Sequence, residues 1–220
     1  MRKLKELVAV LAVVLGGVAS GAQAPRDDTP GEFDYYVLSL SWSPTFCASP
    51  AGRRSPEQCG QGRSFGFVIH GLWPQFAQGG FPSSCQLRPE AVPTEVVEKM
   101  MPSMPSKRLI SHEWEKHGTC SGLDVEEYFN VTEEAFQRVA LPEPLRTPRK
   151  IVTGSVTAIE RLFMEENPGL DPEEIAVVCN GQTVSEIRIC MDKELNFRTC
   201  GRDVRDTCKE GRARFPPIRK

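Results

Sequence analysis

Residues 67–74, Phe67-Val68-Ile69-His70-Gly71-Leu72-Trp73-Pro74, place a histidine after an apolar, β-branched run and before a glycine and a proline. The stretch 64–69 reads as a buried strand that ends at His70, with 71–74 as its punctuation. A second segment, His112-Glu113-Trp114-Glu115-Lys116-His117-Gly118-Thr119-Cys120, carries the other two histidines of the chain. Ser111 is a good N-cap for a helix over 112–117. On that helix His112 adjoins Lys116, and Glu113 adjoins His117, each pair four residues apart. At about 100° per residue the four side chains fill an arc of about 140°, and Trp114 points away into packing.

The pair His112-Glu113 raises the possibility of a zinc protease motif, which needs a second histidine four residues after the first. Lys116 stands there instead, and its charge would repel a metal. Acid–base chemistry on a phosphodiester suits the set better. One imidazole, titrating near ~6.5, can accept a proton while another donates one. A lysine can stabilise charge on phosphoryl oxygens, and a carboxylate such as Glu113 can orient the His117 imidazole. Three purely structural histidines are the bland alternative. The interleaved Lys116 and Glu113, with no histidine elsewhere, argue against it.

Outward from these segments the chain alternates short strands and helices. Residues 33–42 put Tyr36, Leu38 and Leu40 on one strand face, and 175–179 and 184–191 read as further strands. Residues 94–101 make a short helix. Asp124 caps a helix over 125–140, with Val125, Tyr128, Phe129 and Phe136 on its apolar side. A second amphipathic helix over 153–166 buries Val156, Ile159 and Phe163. The Gly- and Pro-containing stretches 49–63 and 77–93 read as loops, the first closable by Cys47 and Cys59. With no repeat or linker, the 220 residues read as one α+β domain.

A hydrophobic content of 40% and a charged content of 25% exclude a disordered tail, a collagen-like repeat and a polytopic membrane protein. The net charge of −2 excludes a strongly basic packaging protein. A basic start, an apolar run over 7–19 and Ala22-Gln23-Ala24 read as a signal peptide spanning 1–24. The run falls short of the ~20 residues that cross a bilayer. Removing it takes away Arg2, Lys3, Lys5 and Glu6, so the remaining chain, 25–220, carries −4. All eight cysteines lie in that part. An even count on an exported chain implies a disulfide framework, with about 105 connectivities open for four bridges. No C-x2-C pair points to zinc. One sequon, Asn130-Val131-Thr132, falls in the helix over 125–140.

FVIHGLWPQ (67–75) and HEWEKHGTC (112–120) resemble the two active-site segments of the ribonuclease T2 family of secreted endoribonucleases. The likeness runs from YVLSLSWSPTFC (36–47) through the cysteine-rich end. It implies a central antiparallel sheet flanked by helices and stapled by disulfides. It also implies cleavage of single-stranded RNA with no metal or other cofactor. The ribose 2′-OH attacks the neighbouring phosphorus, giving a 2′,3′-cyclic phosphate and a 5′-OH, so DNA is not a substrate. By this resemblance His117 is the general base, His70 the general acid, and His112 holds the phosphate. Glu113 and Lys116 stabilise the transition state, and Trp73 lines the site.

The resemblance also suggests the bridges Cys85–Cys120, Cys179–Cys208 and Cys190–Cys200, leaving Cys47–Cys59. Three positions tied to substrate or base binding depart from the family pattern. Gln75 stands for an aspartate, Ser41 for a glutamine and Leu109 for an aromatic. Weak base discrimination is therefore expected, from a monomer that is secreted or periplasmic and free of the membrane once its signal is cleaved. A silent relative would lack one of the two catalytic histidines, and both are present. A metal-dependent phosphodiesterase would need clustered Asp and His ligands outside these segments, and none is apparent.

Overall fold

Successive side chains of β1 (Tyr35–Trp42) point to opposite faces of the sheet, so its two faces enter different apolar clusters. Tyr36, Leu38, Leu40 and Trp42 join the main core, while Tyr35 and Val37 pack with Ala176, Cys190 and Val204 on the other side. The computed structural model describes residues 28–218, so the signal segment expected over 1–24 lies outside the described residues. After β1 come α1 (Ser43–Ala48) and α2 (Pro56–Cys59), so the expected loop over 49–63 contains a short helix. The Cys47–Cys59 bridge closes this hairpin of helices.

Next come β2 (Phe67–Gln75), α3 (Thr94–Met100), α4 (Lys107–Lys116), α5 (Val125–Gln137) and α6 (Glu143–Arg146). β3 (Val152–Ser155), α7 (Val156–Glu166), β4 (Ile175–Asn180), β5 (Thr183–Met191) and β6 (Arg212–Phe215) complete the described chain. The strands form one sheet in the order β2-β1-β5-β6-β3, with β4 also paired to β5. All pairings are antiparallel except a single parallel step, Thr183 against Arg214, between β5 and β6. The helices bury Tyr128, Phe129, Ile159 and Phe163 in the main core, each worth about 1.5–3 kcal/mol. This is the α+β architecture that the sequence implies.

Several boundaries differ from the sequence reading. β2 does not stop at His70 but continues to Gln75 through a bulge. Ser39 faces Gly71 and Leu40 faces Ile69, so His70 has no partner across the strand. The extra residue switches the alternation, which is how both Ile69 and Leu72 reach the core. The Tyr128 hydroxyl donates to the Leu72 carbonyl at 2.9 Å and holds the continued strand against α5.

α4 begins five residues earlier than the 112–117 reading. Its N-cap is Ser106, whose Oγ accepts the Leu109 amide at 3.2 Å, and Ser111 lies within the helix. The segment 153–166 is likewise not all helix. Val152 to Ser155 pair with β6, and the Ser155 hydroxyl then accepts the Ala158 amide to start α7. The helix expected over 125–140 ends at Gln137. There the Asn167 side chain takes over the backbone of Ala140, accepting its N–H and donating to its carbonyl. β6 had no clear sequence signal, because its core contacts come only from Ala213 and Phe215.

The four bridges pair as the resemblance suggested: Cys47–Cys59, Cys85–Cys120, Cys179–Cys208 and Cys190–Cys200. Among the described residues no helix is long and apolar enough to cross a membrane. Asn130 is exposed on α5, where its side-chain carbonyl accepts from Lys99.

The capping assignment is testable by urea denaturation. Ser106→Ala is expected to lower unfolding free energy by about 1 kcal/mol, and Ser111→Ala by less than about 0.5 kcal/mol. A larger loss at Ser111 would contradict the assignment.

Candidate active site

β2 is an edge strand, and α4 packs against it, so the two histidine segments meet along the margin of the sheet. A cavity of about 260 Å³ opens between them. His70, Trp73 and Gln75 line it from β2, and His112, Glu113, Lys116 and His117 from the end of α4. Seven of the residues singled out from sequence are thus brought together. Ser41 and Leu109 are not among the lining residues. Ser41 lies opposite Glu186 in the sheet, and Leu109 packs on the main core from the first turn of α4. A second cavity of equal volume, beside the Cys47–Cys59 bridge, contains none of the histidines.

Trp73 organises the cavity. Its indole N–H donates to Glu113 Oε2 at 2.7 Å. His117 stacks on its ring at 5.3 Å between centroids, with 29° between planes, and His70 meets it edge-on at 5.1 Å. Arg188, from β5, sits over the same ring at 5.1 Å. Glu113 has 1% of its surface exposed, and its Oε1 lies 3.8 Å from His70 Nε2.

This differs from the i,i+4 pairing of Glu113 with His117 expected from a continuous helix. α4 ends at Lys116, and His117 is its C-cap, still donating its amide to the Glu113 carbonyl at 3.0 Å but with φ opened to −116°. Its imidazole therefore turns to Trp73 and Phe81, while the Glu113 carboxylate faces His70 and the indole. The His117 Nδ1 atom is buried with no hydrogen-bond partner among the described residues.

The loop after β2 is fixed to the end of α4 at two points. Cys85 is bridged to Cys120, and the Ser84 amide donates to the Lys116 carbonyl at 2.8 Å. That loop places Phe81, 44% exposed, at the cavity rim against His117 and beneath the Lys116 ammonium. On the other side, Asp203 Oδ2 accepts the Gly80 amide at 2.7 Å.

Proton affinities diverge within this small space. Burial holds His117 down to about 3, helped by the charges of Lys116, His112 and His70. Burial also lowers His112, again with Lys116. For His70 burial works the same way, but the hydrogen bond to Glu186 and the charges of Glu186 and Glu113 outweigh it and raise the group. Burial pushes Glu113 up to about 7, against the pull of His70, Trp73 and Lys116. The cavity thus offers an imidazole with a free lone pair and another that holds its proton to higher pH than an ordinary histidine, with Lys116 beside them.

Sequence reasoning missed Glu186, Arg188, Phe81 and Asp203. Glu186 and Arg188 did leave a signal, since two charges alternate with Ile187 and Ile189 in a strand paired on both sides. Phe81 and Asp203 sit in loops whose positions depend on disulfides and backbone contacts, so pattern alone did not single them out.

Gly71 is a sharp constraint on this arrangement. A Cβ there would lie 2.0 Å from Glu113 Oε2 and 2.4 Å from Trp73 Nε1. Gly71→Ala is expected to cost about 1–3 kcal/mol of stability in urea unfolding, because both partners must move. A loss below about 0.5 kcal/mol would mean that the Glu113–Trp73 contact yields easily.

A model of the ribonuclease T2 family matches residues 33–200. A ribonuclease of Aeromonas hydrophila is 42% identical over 136 residues, covering 61% of this chain and 59% of that protein. A probable ribonuclease of Haemophilus influenzae is 32% identical over 178 residues, covering 76% of this chain and 61% of that one. The chain therefore spans less than two thirds of the length of these two relatives. An RNase-related protein from Calystegia sepium shares the fold, with a TM-score of 0.67 at 24% identity over 86% of this chain and 99% of that one. With most of its length matched by the family model, and both histidine segments inside the match, the chain belongs to the ribonuclease T2 family.

Proposed function

We propose that the protein is an endoribonuclease that cleaves single-stranded RNA by transphosphorylation, without a metal ion. The observation that carries this reading is the pair of imidazoles flanking Trp73 with opposed proton affinities, His117 lowered and His70 raised. In this mechanism His117 removes the proton from the ribose 2′-OH as that oxygen bonds to phosphorus. The P–O5′ bond breaks, and the departing 5′-oxygen takes the proton from His70 Nε2. The products are a 2′,3′-cyclic phosphate and a free 5′-OH. DNA lacks the attacking hydroxyl and is not cut.

Charge on the phosphoryl oxygens is met by Lys116, with His112 holding the phosphate at the mouth of the cavity. Glu113, drawn up to about 7 by burial, hydrogen-bonds the same oxygens when protonated and supports the charge of His70 when ionised. Base contacts fall to Gln75 and Phe81, which line the cavity, rather than to Ser41 and Leu109, which do not. An exposed ring accepts any base face, so discrimination among bases is weak. Eight cysteines all engaged in bridges support a secreted or periplasmic monomer that has lost residues 1–24.

The test is cleavage of single-stranded RNA and DNA of the same sequence in EDTA, across a pH series. Base catalysis needs neutral His117, available above about 3, and acid catalysis needs charged His70, available until pH passes its raised value. The expected kcat/KM is level between roughly pH 4 and 6 and falls on the alkaline side, with limbs belonging to the coupled site. His117→Ala and His70→Ala are each expected to lower it by about 100-fold or more. Cleavage that needs added metal, or proceeds equally on DNA, would contradict the proposal.

A further inference from the structure

Two charged side chains of β5 have no part in the steps above: Arg188 lines the cavity, and Glu186 stands behind His70. Glu186 Oε1 accepts the His70 Nδ1–H at 2.7 Å. Its other oxygen, Oε2, accepts both Arg188 Nε at 2.9 Å and Arg188 Nη2 at 2.8 Å. The Arg188 guanidinium is in turn held over the Trp73 ring. An isolated surface ion pair two residues apart on a strand would contribute little. Here the carboxylate is 12% exposed and divides its oxygens between an imidazole and a guanidinium.

We propose that Glu186 is the positioning residue of the general acid and that Arg188 anchors it, the inference resting on the reading of His70 as that acid. Glu186 fixes the Nδ1–H form of the ring and turns Nε2 toward the departing 5′-oxygen. A carboxylate behind a histidine does the same in other acid–base sites, setting both tautomer and charge. Arg188 keeps the carboxylate from rotating away, and its contact with Trp73 ties the acid to the ring that also stacks on His117.

The charges around His70 show what the carboxylate opposes. From β5 it faces Glu186 and Arg188, and from α4 Glu113, with His112, Lys116 and His117 lining the same cavity. Burial and Arg188 both disfavour the imidazolium, and Glu186 is the strongest group acting the other way. Glu186 itself stays ionised: burial works against its charge, but His70 and Arg188 hold it at about 2. A neutral residue at position 186 leaves His70 to lose its proton at lower pH, with Glu113 alone supporting it.

The experiment compares two substrates. In RNA the leaving 5′-oxygen needs a proton, whereas in a ribonucleoside 3′-(4-nitrophenyl phosphate) the leaving nitrophenolate does not. Both need His117 to activate the 2′-OH. Glu186→Gln is expected to lower kcat/KM on RNA by about 10–100-fold and to move the alkaline limb to lower pH. The ratio of nitrophenyl ester to RNA rates rises at least about tenfold, the signature of an impaired acid.

Glu186→Asp restores part of the RNA rate. Arg188→Gln raises the ratio of ester to RNA rates by less, without moving the alkaline limb to lower pH, because it also removes a cation that disfavours the imidazolium. Ester turnover confirms that each variant is folded; should Glu186→Gln not fold, Arg188→Gln carries the test. Equal loss on both substrates in either variant, or an unmoved alkaline limb in Glu186→Gln, would overturn the inference. Wild-type protein that yields no cyclic phosphate in EDTA, or His70→Ala that cleaves RNA normally, would instead overturn the reading on which it rests.

Discussion

The hydrogen bond from the Trp73 indole to the buried Glu113 carboxylate joins the two halves of the site. It links an edge strand to the helix packed against it, in a space left open only because Gly71 has no side chain. The same indole is the surface on which His117 stacks, against which His70 stands edge-on, and over which Arg188 lies. Release of Glu113 would leave a buried carboxylate without its donor and would free the ring that sets the spacing of the imidazoles. The bulge at His70 carries β2 on through Trp73, and the Cys85–Cys120 bridge ties the loop after β2 to the segment that follows α4.

From that geometry follows an electrostatic division of labour. His117 and His70 share burial in one cavity, yet their neighbours differ. His117 is surrounded by Lys116 and other histidines, whereas His70 is held between Glu113 and Glu186. Burial alone would make both imidazoles neutral. The carboxylates on either side of His70 reverse that outcome at one ring only. Because Glu113 and Glu186 come from different elements, the asymmetry depends on the sheet–helix packing as a whole.

Much of this was legible in the sequence. The alternation of Tyr36, Leu38 and Leu40, and the spacing of Val156, Ile159 and Phe163, correctly placed a strand and a helix face. The histidine segments were recognisable because rare residue types cluster there, and seven of the nine positions flagged for chemistry or substrate line one cavity. The misjudged details share a cause, namely that long-range packing overrode a local signal. Gly71 and Pro74 look like a turn, but a bulge carries the strand on to Gln75. Glu113 and His117 are spaced to meet on a helix, but the helix ends between them and the indole claims the carboxylate. Glu186 and Arg188 are more than one hundred residues from His70 in the chain, so only the β1–β5 pairing makes them its neighbours.

The central claim is that the two flanking imidazoles differ in proton affinity because of where their carboxylates stand. Its most direct measurement is a titration of the three histidines by ¹H–¹⁵N nuclear magnetic resonance, which reports charge and tautomer for each ring. The account predicts a His70 midpoint above the ordinary 6.5 with its Nδ1 protonated, and His112 and His117 below it. A His117 midpoint above that of His70 would contradict it.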